Sequence, residues 1–460
     1  MGVSDKIGGI MTELKENKMG VMPVGKLLVQ ISLPMMISML VQAFYNIVDS
    51  IFVAKISENA LTAVSLAFPI QNLMFSTIIG TGVGINSLLS MRLGQKDQEA
   101  VDRTAMNGIV LAAASYVVFL IVGLTVPRIY FESQTSNPEI IEYGVTYLSI
   151  CMIISFGVSG AITFERLLQS TGRTVLSMIS QLTGAIINCI LDPIMIFGLL
   201  GFPRLGIAGA AWATVIGQIS AACVSLFLNI RFNKEIHFTF KGLIPNGRII
   251  IDIYKVGLPS ILLGSIGSFL TYLLNLILGA FSTTAIAVYG VYFKLQSFIF
   301  MPVFGLNNGI VPIVAFNYGA RHKDRIMRAI KLCAFSAFTI MIAGLLAFEL
   351  LPKILLGWFE ASDEMLRIGV PALRIIALHF PVAALSITFI SVFQALGRGL
   401  FSMITSFIRQ IIVLLPAAWL LSLTGNIDNI WWAFLLAELA SLTCCLFGFR
   451  SVYRKQISKL

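Results

Sequence analysis

The chain carries twelve apolar stretches, each long enough to cross a lipid bilayer as a helix. They lie at roughly 26–54, 60–91, 103–127, 139–165, 174–200, 206–230, 253–280, 284–316, 327–350, 365–392, 401–423 and 429–450. About 20 apolar residues span a hydrocarbon core. Inside that core the backbone must satisfy its own N–H and C=O groups, which leaves helices or closed barrels. Runs of this length predict an all-α polytopic membrane protein with 12 transmembrane helices. Of 460 residues, only 12% are charged, against about 25% in a soluble domain.

The net charge of +10 needs no nucleic acid to explain it. With the N-terminus inside, the inner segments hold 24 Lys and Arg and the outer ones 5 (Lys55, Arg128, Arg204, Lys353 and Arg367). That bias follows the positive-inside rule and predicts both termini in the cytoplasm. Residues 1–25 carry Asp5, Lys6, Glu13, Lys15, Glu16 and Lys18 without an apolar core, so no cleavable signal is expected. The six cysteines (Cys151, Cys189, Cys223, Cys333, Cys444 and Cys445) all fall inside helix windows without metal-ligand spacing. They are expected as small packing residues.

The two halves match at a constant offset of 225. Pro34 matches Pro259, Gln71 matches Gln296, Gly80 and Gly84 match Gly305 and Gly309, and Gly94 matches Gly319. Gln169, Gly172, Arg173, Ser177 and Met178 match Gln394, Gly397, Arg398, Ser402 and Met403. Near the end the offset falls to 220, placing Gln218 opposite Glu438. The expected organisation is an N-terminal tail (1–25), a first six-helix bundle (26–230), a linker (231–252), a second bundle (253–450) and a C-terminal tail (451–460). Six helices per repeat give both halves the same orientation, related by an axis along the membrane normal.

Two acids interrupt the apolar runs of the first half. Asp49 is in the first window and Asp192 in the fifth. An ionised Asp at membrane depth costs at least about 2.5–3.5 kcal/mol, so each needs a partner, a wet cavity or a proton. Gln42, Asn46 and Asp49 are spaced i, i+4, i+7 and share a helix face, with Tyr45 beside it. Asn188 and Asp192 are spaced i, i+4, and Pro193 removes a backbone donor next to them. These oxygens suit a proton relay or a hard cation. Two nearby acids in low dielectric do not readily both carry charge. Interhelical polar bonds, worth about 0.6 kcal/mol on average, are too weak to explain two buried acids.

These residues resemble the multidrug and toxic compound extrusion (MATE) family, over nearly the whole chain. The resemblance is carried by Pro34, Gln42, Tyr45, Asn46, Asp49 and Ser50 in the first helix, and by Asn188, Asp192 and Pro193 in the fifth. Gly172 and Arg173 precede the fifth helix, and Gly206, Gly209, Trp212 and Thr214 open the sixth. The run through Phe164, Glu165, Arg166, Gln169 and Gly172 is similar to the MepA-type and DinF-like bacterial branch. The resemblance implies two pseudo-symmetric six-helix lobes of the MATE/MOP-superfamily fold and a secondary active antiporter in a bacterial cytoplasmic membrane. It implies export of small amphiphilic or cationic drug-like compounds in exchange for H+ or Na+ by alternating access. The family's cation site maps onto Asp49, Asn188, Asp192 and Thr214, which are also the ligands expected for Na+. Another branch uses acids in the seventh and tenth helices; residues 253–280 and 365–392 contain none.

Lys294, Arg374, Arg409, His379 and Glu438 fall at membrane depth in the second half. Arg409 or Lys294 is expected to pair with Glu438. A shared cationic cavity would instead suit a lipid-linked precursor flippase, the alternative function. Candidate cavity-lining residues are Gln42, Tyr45, Asn46, Lys294, Tyr289, Tyr292, Arg374 and Arg409, with Phe293 and Phe304 as further candidates for stacking on flat cations. Glu165, Arg166 and Glu349 are expected at helix ends near water. No P-loop, catalytic triad or zinc-protease motif is present, and the glycines Gly80, Gly82 and Gly84 lie inside a membrane helix. The expectation is a monomeric transporter without cofactor, not an enzyme.

Overall fold

The computed structural model describes residues 17–359 and 362–460. Most of the expected N-terminal tail, residues 1–16, therefore lies outside the described residues. The described residues contain no strand. Among the described residues ten helices are each long and apolar enough to cross a membrane, and two bent pairs raise the number to twelve if each is one span. They are α1 Val24–Ala54, α2 Glu58–Gly94, α3 Gln98–Thr125, the pair α4 Pro138–Ile153 and α5 Phe156–Ser170, α6 Thr174–Phe197 and α7 Ile207–Phe232 in the first half. The second half has α8 Gly247–Gly279, α9 Thr283–Gly319, α10 Lys323–Leu350, the pair α11 Asp363–Ala377 and α12 Phe380–Ala395, then α13 Gly399–Phe407, α14 Leu415–Ser422 and α15 Ile427–Lys455. Between α13 and α14 the chain is a π-helix, Ile408–Leu414, where the sequence predicts one continuous helix. Pro416 follows it; a proline has no N–H to give and its ring crowds the carbonyl four residues back, so a wider turn relieves both.

The repeat is visible in the backbone. Ser57 caps α2 by accepting from the Ala60 N–H, and Ser282 caps α9 by accepting from the Ala285 N–H. Capping oxygens satisfy donors that a helix start leaves orphaned. Lys96 and Arg321, also 225 apart, both adopt left-handed backbone, at φ 58° and 59°. The fourth and tenth spans break at equivalent places, with bends of 46° and 48°.

The halves meet through α2 against α8 and α9, and α1 against α9. The contact is backbone on backbone. A Cβ added to Gly94 would lie 2.0 Å from the Phe316 carbonyl oxygen, and one added to Gly319 would lie 2.0 Å from the Met91 carbonyl oxygen. This reciprocal pair explains why glycine recurs at both positions: no side chain fits between the helices. The contact continues to the bond from Asn72 Nδ2 to the Gly264 carbonyl (3.3 Å) and the edge-on pair Phe44 and Phe298 (6.0 Å). At the glycine end a short helix, Lys18–Val21, straps the halves together. Asn17 donates to the Thr171 carbonyl of the first half. Asn317 and Arg325 of the second half donate to the Met19 carbonyl, and Arg325 also to that of Met22. Leu27, Leu28 and Ile31 at the start of α1 are buried in the core of the second half. Residues between α7 and α8 are pinned to the first half by the ion pair of Arg173 and Glu235 (2.9 Å) and by the Asn246 N–H on Asn107 Oδ1 (2.7 Å).

Gly94→Ala is expected to destabilise the purified protein by about 1–3 kcal/mol through overpacking, read as a lower melting temperature in detergent. Gly290→Ala is the control, since a Cβ there meets nothing within 4 Å; its melting temperature should not fall.

Candidate ion-coupling site

The site is built where α6 and α7 touch. A Cβ on Gly184 would lie 2.9 Å from the Gly217 carbonyl oxygen, and one on Gly217 would lie 2.7 Å from that of Gly184. The two glycines let the backbones close in. One turn on from Gly184 stands Asn188, and three residues before Gly217 stands Thr214, so the close approach brings these side chains face to face. Asn188 Nδ2 donates to Thr214 Oγ1 at 3.4 Å and to Asp192 Oδ1 at 3.4 Å. Both bonds are long, and all three residues are buried, Asp192 completely. Pro193 sits inside α6 and leaves the Cys189 carbonyl without its helical donor.

Asp49 approaches from α1 and lies within electrostatic reach of Asp192. Three buried oxygens in this group have no hydrogen-bond donor: Asp49 Oδ1, Asn188 Oδ1 and Asp192 Oδ2. Buried acceptors are nearly always satisfied, so three orphans in one place need an explanation. They are all oxygens, and they suit a proton or a small cation.

The other predicted residues separate. Tyr45 stands beside Asp49 and Asp192, near Cys151 and Cys189. Gln42 Oε1 accepts from Gln181 Nε2 at 3.2 Å, which ties α1 to α6. Asn46 is exposed. Two neighbours escape a sequence reading. Tyr147, buried on α4, lies close to Gln71 of α2 and within electrostatic reach of Asp49 and Tyr45; Cys151, one turn on, lies close to the same glutamine. Their i, i+4 spacing within an apolar window was the available signal, but nothing local shows which way that face turns.

The second-half candidates take the following places. Tyr289 and Tyr292 are buried, 4% and 1% exposed. Their rings stack on each other at 6.1 Å and pack against Phe434, and Tyr292 also packs against Phe348. Arg409, rather than Lys294, pairs with Glu438, at 3.3 Å. Arg374 engages Glu349, its Nε donating to the Glu349 carbonyl at 3.2 Å. Lys294 lies over the Phe359 ring at 5.9 Å. The three basic residues thus take three different partners. Phe293 and Phe304 are exposed. Arg166 is buried rather than at a wet helix end: its stem lies against Gly82, and Nη1 donates to Gln169 Oε1 at 2.9 Å. The missing side chain at Gly82 makes the slot that takes it. Glu165 beside it is half-buried and accepts from Ser180 Oγ.

The model of the MatE family matches residues 34–194 and, a second time, residues 259–420. The matches begin at Pro34 and Pro259, the same offset of 225 as the internal repeat. The multidrug export protein MepA of Staphylococcus aureus (strain bovine RF122 / ET3-1) is 26% identical over 421 residues, which is 90% of this chain and 91% of that protein. MepA of Staphylococcus haemolyticus (strain JCSC1435) is 26% identical over 423 residues, 92% of this chain and 91% of its own. A MATE protein solved in complex with MaL6 superposes with a TM-score of 0.90 at 24% identity, over 97% of this chain and 100% of that one. A MOP superfamily transporter from Pyrococcus furiosus gives 0.89 at 24% identity, over 96% and 99%. The solved structures bear out the predicted all-α fold. The family model, matched once over each half, bears out the resemblance read from the motifs: the chain belongs to the MatE family of membrane transporters.

Proposed function

We propose that the protein is a secondary active exporter of small amphiphilic, often cationic, organic compounds, driven by protons entering through the Asp49–Asp192 site. The observation that carries this reading is the set of three buried oxygens without donors. A proton shared between two carboxylates in a dry site removes one charge and supplies one missing donor. Asn188 and Thr214 hold the second carboxylate in place and complete the oxygen set, which Na+ would also use. Names of relatives support the export of drugs, since two MepA proteins align over nine tenths of the chain.

Residues 26–230 and 253–450 are the two bodies that rock against each other, and one chain carries both, so a monomer suffices. The charge bias, 24 basic residues against 5, supports a bacterial cytoplasmic membrane with both termini in the cytoplasm. The Gly94 and Gly319 contact would then close the cytoplasmic end. For an uncharged compound, one proton entering through 100 mV supplies about 2.3 kcal/mol, enough for roughly tens-fold accumulation; exchange of one proton for one monovalent cation moves no net charge and draws on the pH difference alone. A flippase needs a shared cationic cavity, and the separate partners of Lys294, Arg374 and Arg409 offer no support for one.

In proteoliposomes without sodium, an imposed pH gradient should drive efflux of a dye such as ethidium. A response to sodium alone would move the coupling to Na+. Asp49→Asn and Asp192→Asn should each cut efflux at least about 10-fold, the scale of losing one charge-dependent interaction, at unchanged membrane expression. Efflux at the wild-type rate by well-expressed Asp49→Asn would end this reading. Thr214→Val keeps the volume but removes the hydroxyl that Asn188 bonds; a loss of only a few-fold is expected, about one neutral hydrogen bond.

A further inference from the structure

A second polar island lies in the core of the second half. On α15 the residues Trp431, Glu438, Ser441 and Cys445 recur at helical spacing along one face, and all four are buried. Three atoms on this face have no hydrogen-bond partner: Trp431 Nε1, Glu438 Oε1 and Ser441 Oγ. The Tyr292 hydroxyl of α9, within electrostatic reach of Glu438, is also unpartnered. The other carboxylate oxygen of Glu438 takes a single bond from Arg409 Nη1 at 3.3 Å. The pair is lopsided: the Glu438 side chain is 5% exposed, that of Arg409 24%.

The remaining groups around Glu438 are few. His379, at the break between α11 and α12, lies within electrostatic reach of both Glu438 and Arg409. Its Nδ1 is held by the Ile376 carbonyl, which only accepts; Nδ1 is therefore the donor, and Nε2 is the acceptor of the neutral ring. Cys445 is on the same helix. The segments α12, α13 and α14 contain no titratable side chain, and Arg374 of α11 is engaged by Glu349. The island is walled by the rings of Tyr289, Tyr292, Phe348, Phe380 and Phe434.

We propose that Glu438 is a second proton-binding site, with Arg409 its exchangeable partner. A proton on the orphan oxygen turns it into a donor for the neighbouring hydroxyls and leaves Arg409 without its counter-charge. Arg409 belongs to the π-segment Ile408–Leu414, whose wider turns are a packing alternative to the α-helix. Protonation would thus free a side chain that is already the more exposed of the pair. The site is not a copy of the first one. Positions equivalent to Asp49 and Asp192 are Leu274 and Ala417, and Glu438 stands opposite the neutral Gln218. This inference rests on proton-driven transport as the protein's function.

The test is an infrared difference measurement on the purified full chain, counting carboxyl groups that gain protons between the two pH values of the gradient that drives efflux. Glu438→Gln should remove one titrating carboxyl and Asp49→Asn a different one, while Glu438→Asp keeps the count. In proteoliposomes Glu438→Gln should also lower by one the number of protons moved per ethidium, measured at the balance point of opposed gradients. An unchanged carboxyl count in Glu438→Gln would overturn the proposal. Should that variant fail to fold because Arg409 is left unpaired, the double variant Glu438→Gln with Arg409→Gln removes the stranded charge and is read in the same way. A wild type that ignores the pH gradient would count against proton drive itself. The infrared count would still decide whether Glu438 takes up a proton.

Discussion

A polar atom in hydrocarbon has no water to fall back on, and that one constraint orders this molecule. It makes every membrane segment a helix. It also turns hydroxyls back on their own helices: Thr81, Ser220 and Thr388 each donate to a carbonyl four residues earlier. Against that background the unsatisfied oxygens of Asp49, Asn188 and Asp192 stand out. Most of the chain meets its obligations with local bonds. Three of the exceptions, on Asp49, Asn188 and Asp192, gather at one site.

The repeat separates architecture from chemistry. Helix caps at Ser57 and Ser282, left-handed turns at Lys96 and Arg321, and the glycines at the meeting of the halves recur at one offset. The acids do not recur; Leu274 and Ala417 occupy the equivalent positions. Symmetry is thus kept where backbones must approach or turn. It is lost where side chains handle charge. The aromatic packing around Tyr289 and Tyr292 and the π-helix before Pro416 belong to the second half alone among the described residues. Two halves with one fold can in this way hold different ligands.

What the sequence left open shares a cause. Tyr289 and Tyr292 are suited by composition to line a cleft, and Lys294, Arg374 and Arg409 to make one positive. Helical spacing shows which residues share a face, but not what that face meets. Phe434 and Phe348 come from α15 and α10, far along the chain, and their packing buries both tyrosines. Glu349 and Glu438 likewise reach their arginines from other helices. Arg166 looks like a boundary residue until Gly82 of another helix opens a slot for it.

Apolar length alone determined the helical class and the twelve spans, because a bilayer accepts no other use of such runs. The offset of 225 determined the repeat, and the cost of an ionised Asp in lipid marked Asp49 and Asp192. Only the tertiary structure decided that Asn188 bridges Asp192 and Thr214, because that contact depends on Gly184 and Gly217 letting two backbones touch. It also decided which arginine meets which acid. Local spacing is written in the order of residues; the rotation of one helix against another is set by packing across the whole molecule.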